Sequence, residues 1–474
     1  MKYTTILVFI CYALSFQAQS DIDRLKLALL NDTPIEEDLQ ELTDEIGGRV
    51  TGSLANQKSI EWGLKKFQDA GVNAWKHSFK MPTLWIEGLC EGEINMGDDV
   101  FKIDLVSKYN SPPGSYSGEL IYMDGLDFDA DLSGKYVIVE QDLCLDIDGL
   151  FAEYDFATRV EMIARENKAK GILFMSSRPK KLLYRFLTMK ATDNEMPQWV
   201  VAREDARRII RLLKEGQTLT FDSSIEAVTG EAFTSHNIIA EIPGTTKKDE
   251  YIVIGAHIDS WALGTGANDN GCNVSMMIDI ARQMKALNIK PERTIRFALW
   301  NGEEQGYFGS LAYTRDYDMD QHKLAISIDI GSGAILGFFT NGREELVNQI
   351  DELLKPVEVF GPFSQLNLPI VGTDNFDFML EGVPNLVGRH APQLYGPNYH
   401  ASSDTYDKVD LKQLKINSAI VGAVILGYAN SDYDLPRQDQ MGVEELIQDF
   451  DLEFTMRMFN VWEPWVNGER GRNK

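Results

Sequence analysis

Apolar residues recur along this chain with different rhythms in different stretches. In Ser59–Phe67 they fall at helical spacing, and Gly71 stops the pattern. The section from residue 21 to about 88 reads as mostly helical, with a loop at Arg49-Val-Thr-Gly-Ser53. From about 89 to 235 the texture changes to short apolar runs between turn residues: Leu120–Met123, Tyr136–Val139, Ile172–Phe174 and Trp199–Val201. Helical stretches at Phe156–Ala169 and Asp205–Leu213, with a bend at Pro112-Pro-Gly114, complete a small α/β module.

Between 236 and about 432 strands and helices alternate. Strands are expected at Ile252–Ala256, Thr294–Trp300, Leu324–Ile330, Leu368–Val371 and Asn385–Val387. Helices are expected over Val274–Leu287, from Tyr307, near Glu344–Leu354 and over Leu411–Tyr428. Such alternation predicts an α/β fold: a doubly wound, mostly parallel sheet flanked by helices, interrupted by the smaller α/β module. The apolar run Ile416–Leu426 is about half a membrane span and reads as a buried helix, so no stable membrane insertion is expected. Residues 433–474 form an acidic extension ending in Trp462-Glu-Pro-Trp465, two tryptophans expected to pack back onto the body.

The first twenty residues differ from the rest. Lys2 is their only charge, an apolar run spans Thr5 to Phe16, and small Ala18 and Ser20 follow. That is the plan of a cleaved signal peptide, which makes the protein secreted or periplasmic. Cys11 follows Ile10, where a lipoprotein signal wants a small residue, so lipidation is not expected. Beyond the signal lie Cys90, Cys144 and Cys272, with no CxxC pair to suggest a thiolate zinc site. A Cys90–Cys144 bridge and free thiols are equally compatible with that spacing.

Charge narrows the partners. With 46 basic and 72 acidic residues the net charge is -26, a surface that repels phosphate backbones and excludes nucleic acid as a partner. It also favours cations in clefts. In open α/β sheets ligands bind beyond the carboxyl ends of the strands. There the chain places His257-Ile-Asp259, Asn268-Asp269-Asn270-Gly271, Glu303-Glu304-Gln305-Gly306, Asp329, and His400-Ala-Ser-Ser-Asp404. Each alone has an ordinary reading as a turn, a cap or a hydrogen-bonded pair. Two imidazoles and several carboxylates on one rim suit Zn²⁺ or another borderline divalent cation. Adjacent Glu303 and Glu304 can divide the work, one coordinating and one acting as base.

Taken in order, these motifs resemble those of the co-catalytic di-zinc exopeptidases. The likeness runs from Ile46-Gly-Gly-Arg-Val-Thr-Gly-Ser53 over nearly all of the mature chain, but not beyond residue 433. It implies a discontinuous catalytic domain of residues 21–88 and 236–432 and a protease-associated insert at 89–235, with Leu132–Val139 and Lys170–Phe174 as its signature strands. The resemblance further implies two Zn²⁺ ions, one held by His257 and Asp329, the other by Glu304 and His400, with Asp269 bridging. Glu303 would be the general base for a water held between the ions, and Asp259 would orient His257. The peptide after Asp269 would be cis. Arg389, His390, Tyr395 and Tyr399 are candidates for the oxyanion donor or the grip on a substrate terminus. The expected activity is hydrolysis of short peptides or dipeptides by an aminopeptidase, dipeptidase or carboxypeptidase. A non-catalytic binding protein on the same fold and a zinc hydrolase of N-acyl amino acids are the competing readings. The likeness admits a homodimer without requiring one.

Overall fold

The computed structural model describes residues 21–126, 131–186, 194–392 and 395–472. The expected signal peptide, residues 1–20, lies outside the described residues. Two sheets organise the chain. The first has seven strands in the order Asn73–Met81, Phe233–Ile242, Arg293–Trp300, Lys247–His257, His322–Ser327, Asn385–His390 and Ile335–Phe339. The central four pair in parallel, and the outer pairings are antiparallel.

The run Ile252-Val-Ile254 is apolar at every position because the sheet is covered on both faces. Successive side chains point to opposite sides. Ile252 and Ile254 therefore join a core with Ile238, Leu299, Met277 and Ile425, while Val253 joins Ile239, Trp300, Tyr313 and Phe378 on the other face. Helices Leu54–Asp69, Cys272–Ala286 and Leu411–Ala429 cover the first face. Ser53 caps the first of them by accepting from the Asn56 amide, and Asp410 caps the last by accepting from Gln413. Leu411–Ala429 is buried in this core, and no described helix is long and apolar enough to cross a membrane.

The second sheet has eight strands: Asp99–Ile103, Leu84–Met96, Leu219–Gly230, Gly114–Met123, Tyr136–Val139, Gly171–Met175, Gln198–Val201 and Leu105–Ser107. Its own core gathers Ile94, Leu120, Ile138, Leu173, Trp199 and Phe221. The chain passes between sheets as a paired ribbon: Met81 lies opposite Phe233 in the first sheet, and Leu84 opposite Gly230 in the second. The last helices, Gln440–Asp449, Glu453–Met458 and Trp462–Val466, fold back onto Tyr307, Val371, Phe376 and Leu380, with Trp462 and Trp465 against that cluster. Cys90, Cys144 and Cys272 are free thiols, so the Cys90–Cys144 bridge does not form.

Two local expectations change. Leu368–Val371 is not a strand. The Asn341 side chain takes the Ile370 amide at 2.8 Å, and the segment lines a cavity instead of a neighbouring strand. The edge strand here is Ile335–Phe339, hidden in the sequence behind the Gly331-Ser-Gly333 loop. The front section is also less helical than its pattern suggests, because Asn73–Met81 pairs as an edge strand.

Candidate metal centre

Every chemical motif meets at the carboxyl ends of the parallel strands. His257 is the last residue of its strand, Glu303 and Glu304 follow Arg293–Trp300, and Asp329 follows His322–Ser327. Asp269 lies in the turn before helix Cys272–Ala286, and the Asp269–Asn270 peptide is cis. His400 enters from a later loop. All six side chains are buried.

They form two groups that share one member. His257 Nε2 lies 3.1 Å from Asp269 Oδ1 and 2.9 Å from Asp329 Oδ1. His400 Nε2 lies 3.1 Å from Asp269 Oδ2 and 2.9 Å from Glu304 Oε2. Within each group the ligand atoms lie within 4.8 Å of one another. Asp269 thus offers one oxygen to each side. Glu303 belongs to neither group, its Oε2 being 4.0 Å from His257 Nε2.

The ring nitrogens facing away fix the tautomers. His257 Nδ1 donates to the Asp259 carbonyl at 3.0 Å, and His400 Nδ1 donates to the Arg185 carbonyl at 2.8 Å. A carbonyl can only accept, so each Nδ1 carries hydrogen, and once a cation replaces the proton on Nε2 each ring would present that lone pair to it. Asp259 acts on His257 mainly through its backbone, its carboxylate being 3.7 Å from Nδ1. Those carboxylate oxygens accept instead from the Thr51 hydroxyl (3.0 Å) and from the amides of Glu303 (3.3 Å) and Glu304 (3.2 Å). Asp404 does the same for the neighbouring turn, accepting from the amides of Asn268 (2.8 Å) and Asp269 (3.1 Å). Buried Arg49 binds the carbonyls of Ile258 and Gly266, at 2.7 and 2.9 Å, and so ties both turns together.

The donor set fits divalent cations. Four buried carboxylates, Asp269, Glu303, Glu304 and Asp329, face two imidazoles, and Glu304 Oε1 has no hydrogen-bond partner. Burial pushes the Glu303 carboxyl well above its ordinary range and that of Glu304 to about 7. Burial opposes charge on His400, but Glu304 and Asp269 outweigh it and raise the imidazole to about 9. Without a metal, protons must occupy this cluster, and cations compete with them for the same atoms.

Above these residues is a cavity of about 220 Å³. Its apolar wall comes from the second-sheet unit (Leu150, Phe151), the first-sheet unit (Phe339, Leu368, Ile370, Val371) and the C-terminal segment (Phe459). Tyr395 and Tyr399 line it, whereas Arg389 and His390 do not. Arg389 is bonded to the Leu336 and Ser364 carbonyls, and buried His390 is pushed down to about 4 by desolvation. Three participants escape a sequence reading. Tyr154 shares a 3.2 Å hydroxyl–hydroxyl hydrogen bond with Tyr399, Arg185 supplies the carbonyl to His400, and Phe459 lines the cavity. Tyr154 and Phe459 sit in apolar stretches that look like core. Arg49 and Thr51 did carry a signal, the Arg-Val-Thr-Gly-Ser loop.

Comparison with known proteins finds peptidases similar in sequence and fold. Residues 237–425 match the model of peptidase family M28. Carboxypeptidase Q of Mus musculus is 25% identical over 412 residues, covering 84% of this chain and 86% of the mouse protein. Leucine aminopeptidase 2 of Trichophyton rubrum is 24% identical over 437 residues, covering 84% and 83%. Among solved structures, a peptidase M28 precursor from Shewanella amazonensis superposes with a TM-score of 0.81 at 25% identity, covering 89% of this chain and 99% of that one. A zinc aminopeptidase from Bacillus subtilis shares the fold, with a TM-score of 0.65 at 20% identity over 83% and 94%. Matched over residues 237–425 and superposed over most of its length, the chain is similar to peptidase family M28, the co-catalytic zinc exopeptidases.

Proposed function

We propose that this zinc metallopeptidase removes single residues from short peptides, dipeptides included, with two Zn²⁺ ions and Glu303 as general base. The observation that carries the reading is Asp269, whose two oxygens face two separate ligand groups while Glu303 stands outside both. His257 and Asp329 would hold one ion, Glu304 and His400 the other, and Asp269 would bridge them. Bound zinc lowers the pKa of a water towards neutrality and polarises the scissile carbonyl. Glu303, which stands outside both ligand groups, accepts the proton of the attacking water and returns it to the leaving amine. The Tyr399 hydroxyl, paired with Tyr154, faces the same cavity and is our choice for the donor to the developing oxyanion.

Charge around the cavity favours the amino end of the substrate. Among the described residues lining it there is no Lys or Arg to meet a terminal carboxylate. Aminopeptidase or dipeptidase action is therefore preferred over carboxypeptidase action, and the apolar wall suits an apolar side chain. Export follows from the reading of residues 1–20, and the second-sheet unit is assigned as the protease-associated insert, its strands spanning Leu84–Gly230.

The test is metal content together with hydrolysis of an unblocked dipeptide, an N-blocked dipeptide and an aminoacyl anilide, each with and without chelator. Near two zinc ions per chain with chelator-sensitive cleavage of the dipeptide and the anilide is the expected result. Cleavage of the N-blocked dipeptide alone would reverse the choice of terminus. Absence of both metal and turnover would leave a binding protein on this fold.

A further inference from the structure

The C-terminal segment lies beyond the residues that match the family model, yet it reaches the reacting groups. Phe459 directly follows helix Glu453–Met458. Its ring centroid lies 5.2 Å from that of Tyr154, on the second-sheet unit, and 6.4 Å from that of Tyr307, three residues after Glu304. Gly372 makes room for it: a Cβ there would come within 2.9 Å of Phe459 Cζ. Phe459 is thus wedged where three parts of the chain meet, in the wall of the cavity that holds His257, Asp269 and Glu303.

The same residue also borders a larger hollow of about 710 Å³, whose lining mixes Phe79, Met81 and Phe308 with Arg315, Glu463 and Arg470. Among the described residues, Phe459 is the one common to the linings of both spaces. The segment that carries it is fastened on either side. The Arg159 guanidinium stacks 4.5 Å from the Phe454 ring, and Arg470 pairs with Asp377 at 3.0 Å while donating to the Gly306 carbonyl at 2.9 Å. A well-anchored ring between a small cavity and a larger one acts as a stop.

We infer that Phe459 is a specificity-determining residue: its ring closes the end of the apolar pocket and limits the substrate side chain beside the scissile bond to aliphatic size, excluding bulky aromatics. This rests on the peptidase reading above. Truncation opens the pocket toward the hollow behind it, so larger side chains gain room that smaller ones do not fill.

The test compares wild type, Phe459→Ala and Phe459→Leu, all zinc-loaded, with Trp465→Ala as a control on the same segment. The first readout is the ratio of kcat/KM for Trp-Gly to that for Leu-Gly. The second is the affinity ratio for the products L-tryptophan and L-leucine by calorimetry, which needs no turnover. Wild type should favour the leucyl compounds. Phe459→Ala should raise the tryptophyl-to-leucyl ratio about tenfold or more, the scale on which pocket size discriminates apolar groups. Phe459→Leu should shift it in the same direction by less, and Trp465→Ala should leave it unchanged. Should Phe459→Ala fail to fold, the leucine variant decides. Ratios equal to wild type in both readouts would overturn the inference and leave the peptidase reading standing. Absence of wild-type turnover would overturn that reading, and the calorimetric ratios would still decide the role of Phe459.

Discussion

The imidazole of His400 donates to the main-chain carbonyl of Arg185 at 2.8 Å, and the Arg185 amide donates back to the His400 carbonyl at 3.2 Å. A candidate zinc ligand on a loop of the first-sheet unit is thus held in place by the second-sheet unit. His400 has a backbone φ of 56°, a left-handed conformation that ordinary residues adopt at a cost, and the reciprocal pair with Arg185 stabilises it there. The Arg185 side chain is anchored in turn. Its guanidinium pairs with Glu87, donates to the Ser107 carbonyl at 3.0 Å and lies near the rings of Trp85 and Trp261.

Arg185→Ala should therefore weaken one metal site selectively. Loss of a group that orients a ligating histidine costs about 10–100-fold in metal affinity. Competition with a chromogenic chelator should show one ion released more readily and the other unchanged. Two sites with wild-type affinity would show that the carbonyl stays in place without its side-chain anchor.

Glu303→Gln removes the proposed base and keeps every proposed ligand. Metal content and melting temperature should stay near wild type while kcat falls about 10²–10⁴-fold, the usual contribution of general base catalysis. Asp269→Ala removes an oxygen from both groups and should lose metal on dialysis. Two tightly held zinc ions in that variant would contradict the bridging assignment.

Arg470 and Asp377 form a buried ion pair at 3.0 Å, with Asp377 also accepting from Ser310 at 2.8 Å. Arg470→Met leaves that carboxylate without its counter-charge and should cost about 3 kcal/mol in a urea melt. Asp377→Leu in the same chain should recover part of the loss. A single variant as stable as wild type would show that the tail docks without this pair.

Acid should destabilise the fold through His322. Its Nδ1 donates to the Asp318 carbonyl at 2.8 Å, and its Nε2 accepts from the Tyr313 hydroxyl at 3.0 Å, which in turn accepts from Arg296. Burial lowers the imidazole from 6.5 to about 3. As pH falls below about 6.5 the unfolded chain takes up a proton that the folded chain refuses, so stability is lost between about 6.5 and 3. Compared as metal-free proteins, wild type should lose about 2 kcal/mol more than His322→Gln between pH 7 and 4.5. Parallel losses in the two proteins would remove His322 from the account.

What was legible in the sequence follows from what is local. His257, Glu303 and Asp329 lie within a few residues of strand ends, so topology brings these three together, and Asp269 joins them from the turn that opens the next helix. Leu368–Val371 misleads because an apolar run says nothing about which backbone partner is free, and here the Asn341 side chain supplies one. Tyr154, Arg185 and Phe459 carry no pattern of their own. They reach the metal centre only because one unit packs against another, and Arg185 acts through a main-chain oxygen that every residue possesses.

The ribbon joining Met81 to Leu84 and Gly230 to Phe233 has a topological consequence. About a third of the chain enters and leaves through one pair of neighbouring strands, so the parallel centre of the catalytic sheet is built as though that material were absent. Such a graft leaves strand order and strand-end chemistry untouched. It is free to remodel only what lies above the rim, the enclosure of the cavity and the setting of His400. The strand-end residues and the groups that enclose them thereby come from separate stretches of one polypeptide.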